Sequence, residues 1–184
     1  MTKIVNPIIV TSGGGDSAEK LKQLASGTLT ELTAKDLDGV TAIDEYFCYH
    51  NPTLTKIEIP DSVTTLNQYA FYRCEKVSEV TIGMNVASIK DSFKSCPNLT
   101  KITFRGTINQ FLQYSFEGAN ISIVDFRNST AIPTMQTSNG FLGTHASGCK
   151  IIVPDDLYDS WQTATNWSAL TDVVWVKASE YVEE

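Results

Sequence analysis

One segment of this chain occurs in two close copies: Leu54-Thr55-Lys56-Ile57-Glu58-Ile59 (residues 54–59) and Leu99-Thr100-Lys101-Ile102-Thr103-Phe104 (residues 99–104). Five stretches of the chain align with one another at a period of 22 to 27 residues. A fixed period in this range is typical of a solenoid, in which each repeat forms one coil and stacks on the next. The sequence therefore predicts a stack of coils rather than a conventional globule.

Apolar residues recur at the same positions of each repeat. The segment Lys56-Ile57-Glu58-Ile59 alternates polar and apolar residues, which is typical of a half-buried strand. The inward strand positions are Ile57, Val80, Ile102 and Val124, at spacings of 23, 22 and 22 residues. Stacking these strands predicts a parallel sheet along one side of about five irregular coils, each completed by a short strand and a helical turn.

Both open ends of such a stack need a cover. The segment Asp16-Ser17-Ala18-Glu19 resembles a capping box, and the segment after Pro154 can begin a helix that carries Trp161. We therefore expect a flexible N-terminal arm (1–15), an N-terminal capping helix (16–28), a repeat solenoid (29–153) and a C-terminal cap (154–184).

The composition limits the partners of the chain. Hydrophobic residues make up 42%, which is enough to bury a core, and the net charge is -7. An acidic surface repels phosphate backbones, so we expect no nucleic-acid partner. No apolar run approaches the roughly 20 residues that span a bilayer, so we expect no membrane insertion.

The repeat resembles a known family. Residues Leu54 to Cys74 match the unit L-T-x-I-x-I-P-x-S-V-T-x-I-x-x-x-A-F-x-x-C of BspA-type leucine-rich repeats nearly throughout, and the resemblance covers about residues 29–176. It implies a right-handed leucine-rich-repeat solenoid, β-rich with a parallel sheet on one side and short helical turns, capped at both ends. For function it implies a binding or adhesive surface, usually outside a bacterial cell.

The location of the protein is open at this point. The resemblance suggests the cell surface or secretion, but the first ten residues are not a typical secretion signal because Asn6-Pro7 interrupts a short apolar stretch. Related repeats also occur in proteins encoded by integrated phages. A cytoplasmic protein or a phage particle is therefore the alternative.

Outward strand positions form two predicted columns. The first contains Glu31, Lys56, Glu79, Lys101, Ile123 and Lys150, and the second contains Thr33, Glu58, Thr81, Thr103, Asp125 and Ile152. Opposite charges on neighbouring strands attract, so the first column is interpreted either as a stabilising charge ladder or as a recognition face. Ile123 and Ile152 are either a small contact patch or covered by the C-terminal cap, and we expect the cap.

Tyrosines recur along one edge of the coils. Tyr46, Tyr69 and Tyr114 fall at matching positions, which Ser92 occupies in the intervening coil, and Tyr49 and Tyr72 lie near the same edge. Such a row either stacks on sugars or a protein partner, or packs half-buried between coils. The candidate binding face then consists of Lys56, Glu58, Glu79, Thr81, Lys101, Thr103, Ile123, Asp125, Tyr46, Tyr69 and Tyr114.

Cys74 and Cys96 occupy the same repeat position, which His50 and Ala119 hold in the flanking coils. Stacked neighbours lie close enough for a disulfide. The family residue is a small buried filler at an inward turn, so the resemblance implies free thiols instead.

No catalytic or metal-binding pattern stands out in the sequence. His50 and His145 are its histidines, and neither has a recognisable nucleophile partner. We therefore expect a protein that is not an enzyme, has no cofactor and no metal, and binds a protein or glycan. The alternative is a structural or assembly component of a phage particle or of a larger bacterial surface protein, in which residues 1–15 add to a neighbour's sheet or tether the repeat.

Overall fold

A computed structural model of the chain describes residues 23, 24, 26–136 and 145–183. The expected arm (1–15) and most of the expected N-terminal capping helix (16–28) lie outside the described residues. Gln23, Leu24 and Ser26 are helical, and Leu24 is buried at 2% exposure. The domain boundaries stay predictions.

A seven-stranded parallel sheet runs along one side of the molecule in the order β1-β3-β5-β7-β9-β11-β12. Its strands are β1 (Glu31–Leu32), β3 (Lys56–Glu58), β5 (Glu79–Ile82), β7 (Lys101–Phe104), β9 (Ile121–Asp125), β11 (His145–Val153) and β12 (Val173–Lys177). The chain visits these strands in sequence order, so each coil lies beside the next. The six strands from β1 to β11 give about six turns, one more than expected.

Short strands form a second side of the coil. They are β2 (Ala42–Ile43), β4 (Thr65–Leu66), β6 (Ser88–Ile89), β8 (Gln110–Phe111) and β10 (Thr134–Met135). β2 pairs with β4, and β6, β8 and β10 form a three-stranded sheet, all in parallel. A 3₁₀ turn (Ala34–Leu37) follows β1.

The register of the long sheet confirms the predicted inward column. Ile57 pairs with Val80, Val80 with Ile102, and Ile102 with Val124, and each is at most 1% exposed. Because equivalent aliphatic groups lie over one another, they form a continuous dry column. Each coil depends on its neighbours to keep that column covered.

Phenyl rings form further columns in the core. Phe71, Phe93 and Phe116 stack at centroid distances of 5.2 and 5.6 Å, and Phe104 stacks on Phe126 at 4.6 Å. Each of these rings is at most 1% exposed. Offset stacking at these distances adds to the stabilisation that comes from burial alone.

The expected C-terminal cover is present. A 3₁₀ turn (Asp155–Leu157) leads into a short helix α1 (Tyr158–Thr163), which places Trp161 5.1 Å from Phe126. Trp167 is also buried, and its indole N–H donates to the Pro133 carbonyl at 2.7 Å. A last 3₁₀ turn (Ala178–Glu180) follows β12. Within the described part of the chain, no helix has the length and apolar character that crossing a membrane requires.

Candidate recognition surfaces

The tyrosines are presented by a turn that follows each short strand. Tyr46, Tyr69 and Tyr114 all have positive φ angles, of 60°, 59° and 59°. Backbone amides of the same turns donate from one coil to the next, as from Phe71 to the Ser92 carbonyl at 2.9 Å. These bonds hold successive turns in register, so that side chains at equivalent positions lie over one another.

The third coil corrects one sequence assignment. The residue with positive φ there is Asp91 (φ 50°), so Asp91 and not Ser92 matches the tyrosine position. Ser92 is fully buried and its hydroxyl donates to the Asn67 carbonyl at 3.1 Å. Asp91 is 3% exposed and accepts a hydrogen bond of 2.8 Å from the Gln68 amide. A carboxylate therefore interrupts the tyrosine row.

Four tyrosines form a contiguous patch, which we call the tyrosine surface: Tyr46, Tyr49, Tyr69 and Tyr72. Tyr46 stacks on Tyr69 at 5.4 Å and Tyr49 on Tyr72 at 5.6 Å. An edge contact of 5.7 Å between Tyr46 and Tyr49 and a tilted contact of 5.5 Å between Tyr69 and Tyr72 join the two pairs. Tyr46 and Tyr49 are 41% and 39% exposed. The rings thus pack between coils, as one interpretation expected, and still present surface to solvent, as the other expected.

A shallow pocket of ≈ 190 Å³ lies in this surface, lined by Tyr46, Tyr69, Tyr72 and Lys94. The Lys94 ammonium bonds to the Glu117 carboxylate at 2.7 Å and lies 4.5 Å from the Tyr114 ring centre. Lys94 therefore joins Tyr114, which is 45% exposed, to the pocket. Sequence reasoning missed Lys94, although the signal was available: Lys94 follows Tyr72 by 22 residues and precedes the positive-φ residue Ser95 as Tyr72 precedes Arg73.

Two groups that line the pocket, Tyr46 and Lys94, have raised pKa values. Partial desolvation and then the neighbouring Glu45 carboxylate raise the pKa of Tyr46, so its phenol stays protonated and can donate a hydrogen bond. The hydrogen bond to Glu117 raises the pKa of Lys94, which keeps the ammonium charged. The pocket therefore combines ring faces, hydroxyl donors and one cation that a carboxylate already neutralises.

The outward columns of the long sheet lie in the predicted register. Lys56 pairs with Glu79 and Glu79 with Lys101, and the Lys56 ammonium bonds to the Glu79 carboxylate at 3.3 Å. Lys101 instead bonds to Glu183 at 3.0 Å. The structure therefore contains one ion pair of the predicted charge ladder, between Lys56 and Glu79. Lys101 binds a residue near the end of the chain instead.

Two arginines that sequence reasoning missed hold the carboxylates of the second column. Arg105 forms an ion pair with Glu58, and Arg127 binds the Asp125 carboxylate through contacts of 2.6 and 2.8 Å. The signal was available in the sequence, because Phe-Arg occurs at 104–105 and again at the equivalent positions 126–127.

The two sets of candidate residues belong to different segments of each coil. Lys56, Glu58, Glu79 and Thr81 project from the long sheet, whereas Tyr46, Tyr69 and Tyr114 belong to turns that follow short strands. The structure brings Tyr46 and Tyr69 together with Tyr49 and Tyr72. The sheet positions Lys101, Thr103, Ile123 and Asp125 continue the same columns on β7 and β9, where Asp125 is buried at 3% exposure.

The cysteines are buried free thiols, as the resemblance implied. Burial raises the pKa of Cys96 to about 12, and the Cys74 thiol donates to the Cys48 carbonyl at 3.1 Å. The residue that matches Cys74 in the preceding coil is Asn51, which is 6% exposed, and not the exposed His50, whose positive φ matches that of Arg73. A raised pKa suppresses the thiolate, so these thiols are unsuited to nucleophilic chemistry.

Comparison with known families agrees with this geometry. A family model described as BspA type Leucine rich repeat region matches residues 25–144 in 6 copies, which is more than half of the chain. The chain belongs to the BspA-type leucine-rich repeat family. This family membership indicates a repeat-based recognition module, and repeats of this type are generally non-enzymatic. No curated protein and no solved structure matches the chain.

Proposed function

We propose that this BspA-type repeat protein is a non-enzymatic binding module that recognises a protein or a glycan through its tyrosine surface. The observation that carries the proposal is the set of stacked, partly exposed rings around the pocket at Lys94. Stacking on neighbouring coils fixes the rings before a ligand arrives, so little side-chain entropy is lost on binding.

Tyrosine suits this role because it offers an apolar face and a polar hydroxyl. A ring face packs on a sugar ring or on an apolar side chain, and the hydroxyl bonds to polar groups at the rim. The protonated Tyr46 phenol and the Lys94 ammonium are donors that can fix the orientation of such a ligand. Both ligand classes therefore fit the same chemistry.

The exposed part of the long sheet is the second contributor to the proposed recognition face. Lys56 is exposed, and Glu58, Glu79 and Thr81 are partly exposed. The Lys56–Glu79 and Arg105–Glu58 ion pairs satisfy these charges without a ligand. We therefore assign affinity chiefly to the tyrosines, and orientation to the strand positions.

Adhesion and a cell-surface location belong to the same proposal and rest on the family alone. The alternative, a structural or assembly component, depends on residues 1–15, which lie outside the described residues. It stays a prediction.

The test compares two double variants on protein and glycan arrays. Tyr49→Ala with Tyr72→Ala removes two rings at positions that do not have positive φ, and Tyr49→Phe with Tyr72→Phe keeps the rings as a matched control. We expect the alanine variant to lose about 10-fold or more in affinity for any retained ligand, since hot-spot aromatics typically contribute more than about 1 kcal/mol.

The control should keep most of the affinity, because ring stacking persists without the hydroxyl. Equal retention of the wild-type chain and the alanine variant would contradict the assignment of the tyrosine surface. If the wild-type chain bound nothing on broad protein and glycan arrays, that result would contradict the proposed function itself.

A further inference from the structure

A segment of the chain lies across the outward face of its own sheet. β12 is three strands away from β7 in the sheet order, yet Glu183 reaches Lys101 on β7. Adjacent strands lie about 4.8 Å apart, so residues 178–183 must pass over β11 and β9 to make this contact. We call residues 178–183 the crossing segment.

Three anchors hold the crossing segment. The Ser179 backbone N–H and hydroxyl donate to the Asp155 carboxylate, with the N–H at 3.0 Å. The Tyr181 ring lies 5.1 Å from the Arg127 guanidinium carbon. The Lys101 ammonium bonds to the Glu183 carboxylate at 3.0 Å. The segment therefore uses one tyrosine and one acid, two residues apart, against two cations of the sheet.

The residues beneath the crossing segment are held in an arrangement that favours contact with a tyrosine ring. Asp125 is 3% exposed and binds both Nε and Nη2 of Arg127, which fixes the plane of the guanidinium. A planar guanidinium offers its flat face to an aromatic ring while its edge is hydrogen-bonded. Ile152, an outward position next to Asp125 in the register, is fully buried and adds an apolar floor.

We propose that the outward face of β7, β9 and β11 is a binding site for an extended peptide of a partner protein that carries a tyrosine two residues before a glutamate. The crossing segment occupies this site in the structure and shows which chemistry the site accepts. The site is distinct from the tyrosine surface, so the proposal does not rest on the function assigned there.

Exchange with a partner peptide is physically reasonable because the outermost anchor, the ion pair of Glu183 with Lys101, has an exposed carboxylate. The Glu183 carboxylate side chain is 64% exposed, and ion pairs of this kind contribute little to stability. A tethered segment nevertheless competes at a high effective concentration, so an external peptide should bind the wild-type chain weakly. Removing the tyrosine and the acid from the crossing segment should open the site.

The test uses a fluorescein-labelled peptide with the sequence of residues 178–183, Ala-Ser-Glu-Tyr-Val-Glu, and measures anisotropy. The uncovered protein is the full chain with Tyr181→Ala and Glu183→Gln. We expect the peptide to bind the uncovered chain at least about 10-fold more tightly than the wild-type chain, and more weakly as salt is added. A peptide with the same two substitutions should not bind.

A third protein adds Lys101→Gln to the uncovered chain and should lose about 10-fold in affinity for the peptide. Arg127 is left intact, because its removal would leave the buried Asp125 carboxylate without its ion-pair partner. Tyr49→Ala with Tyr72→Ala, added to the uncovered chain, removes two rings of the tyrosine surface and should leave the affinity for the peptide unchanged, which separates the two sites. Equal binding to the wild-type and uncovered chains, or no binding to an uncovered chain that circular dichroism shows to be folded, would overturn the proposal.

Discussion

Single residues set the spacing and orientation of the coils. Positive φ is held by non-glycine residues at equivalent turn positions, among them Tyr69, Asp91 and Tyr114, although this conformation is costly for residues with a Cβ. Amide bonds between coils and stacking of the exposed rings offset that cost. The turn therefore fixes the positions of the Tyr46 and Tyr69 side chains in the tyrosine surface.

Gly83 marks a close approach of two coils. A Cβ at this position would lie 2.4 Å from the Pro60 carbonyl oxygen and 2.9 Å from the Asp61 nitrogen, which are backbone atoms. We expect Gly83→Ala to destabilise the protein by about 3 kcal/mol, because the coils must separate locally. Urea unfolding followed by circular dichroism measures the change.

Gly39→Ala is the matched control for that substitution. Gly39 has φ +76° and nothing within 4 Å of an added Cβ, so only conformational strain of roughly 1–2 kcal/mol applies. If Gly83→Ala costs no more than this control, the coils are less tightly packed at Pro60 than the geometry indicates.

The crossing segment is the element whose role depends most on charge. Hydrogen bonds from Ser179 lower the pKa of Asp155, and the hydrogen bond from Lys101 lowers the pKa of Glu183. A carboxylate whose pKa is lower when the segment is bound favours the bound state above its ordinary pKa of about 4. That contribution is lost as the pH falls through the lowered values.

We therefore predict that acid detaches the crossing segment while the core is still folded. Hydrogen exchange of residues 178–183, followed by mass spectrometry, should show constant protection between about pH 7 and pH 5 and a loss below about pH 4, after correction for the intrinsic exchange rate. Asp155→Asn should reduce protection already at pH 7. Loss of protection near pH 6 in the wild-type chain would contradict the assignment to these carboxylates.

At the scale of the whole molecule, stability is the sum of interfaces between neighbouring coils. In the middle of the chain, the inward aliphatic column and the phenyl columns contribute side chains to the interface between each coil and the next. A defect in one coil therefore weakens the two adjoining interfaces directly and distant coils only indirectly.

Phe93 is the position at which a substitution tests whether a defect in one coil weakens mainly the two adjoining interfaces. It is fully buried between Phe71 at 5.2 Å and Phe116 at 5.6 Å. We expect Phe93→Ala to cost about 3–5 kcal/mol, whereas Phe93→Leu should cost less than about 1.5 kcal/mol if the neighbours repack. Thermal and urea unfolding give both values.

A second measurement of the Phe93→Ala variant shows how far the destabilisation spreads along the solenoid. Hydrogen exchange should accelerate most at amides of the coils that contain Phe71 and Phe116, and least in β12 at the far end of the sheet. Uniform acceleration over the whole chain would show one cooperative unit instead of coupled coils.

The sequence alone was sufficient for the family, the parallel sheet, the inward column and the register of the outward columns. These features follow from a period that repeats, because an equivalent residue in each coil meets the same neighbours. The same argument failed by one residue at Ser92 and His50, where coils of 22 and 23 residues leave the turn position ambiguous and only the backbone angle identifies it.

Tertiary structure decided which parts of the candidate face are available. The pairing of Lys101 with Glu183 joins residues that are distant in sequence and outside the repeat pattern, and Asp125 and Ile152 are buried although the pattern places them outward. A repeating pattern specifies contacts between equivalent residues of adjacent coils. It carries no information about a non-repeating segment that returns over the sheet, because that path depends on charges and rings that come together only in the folded chain.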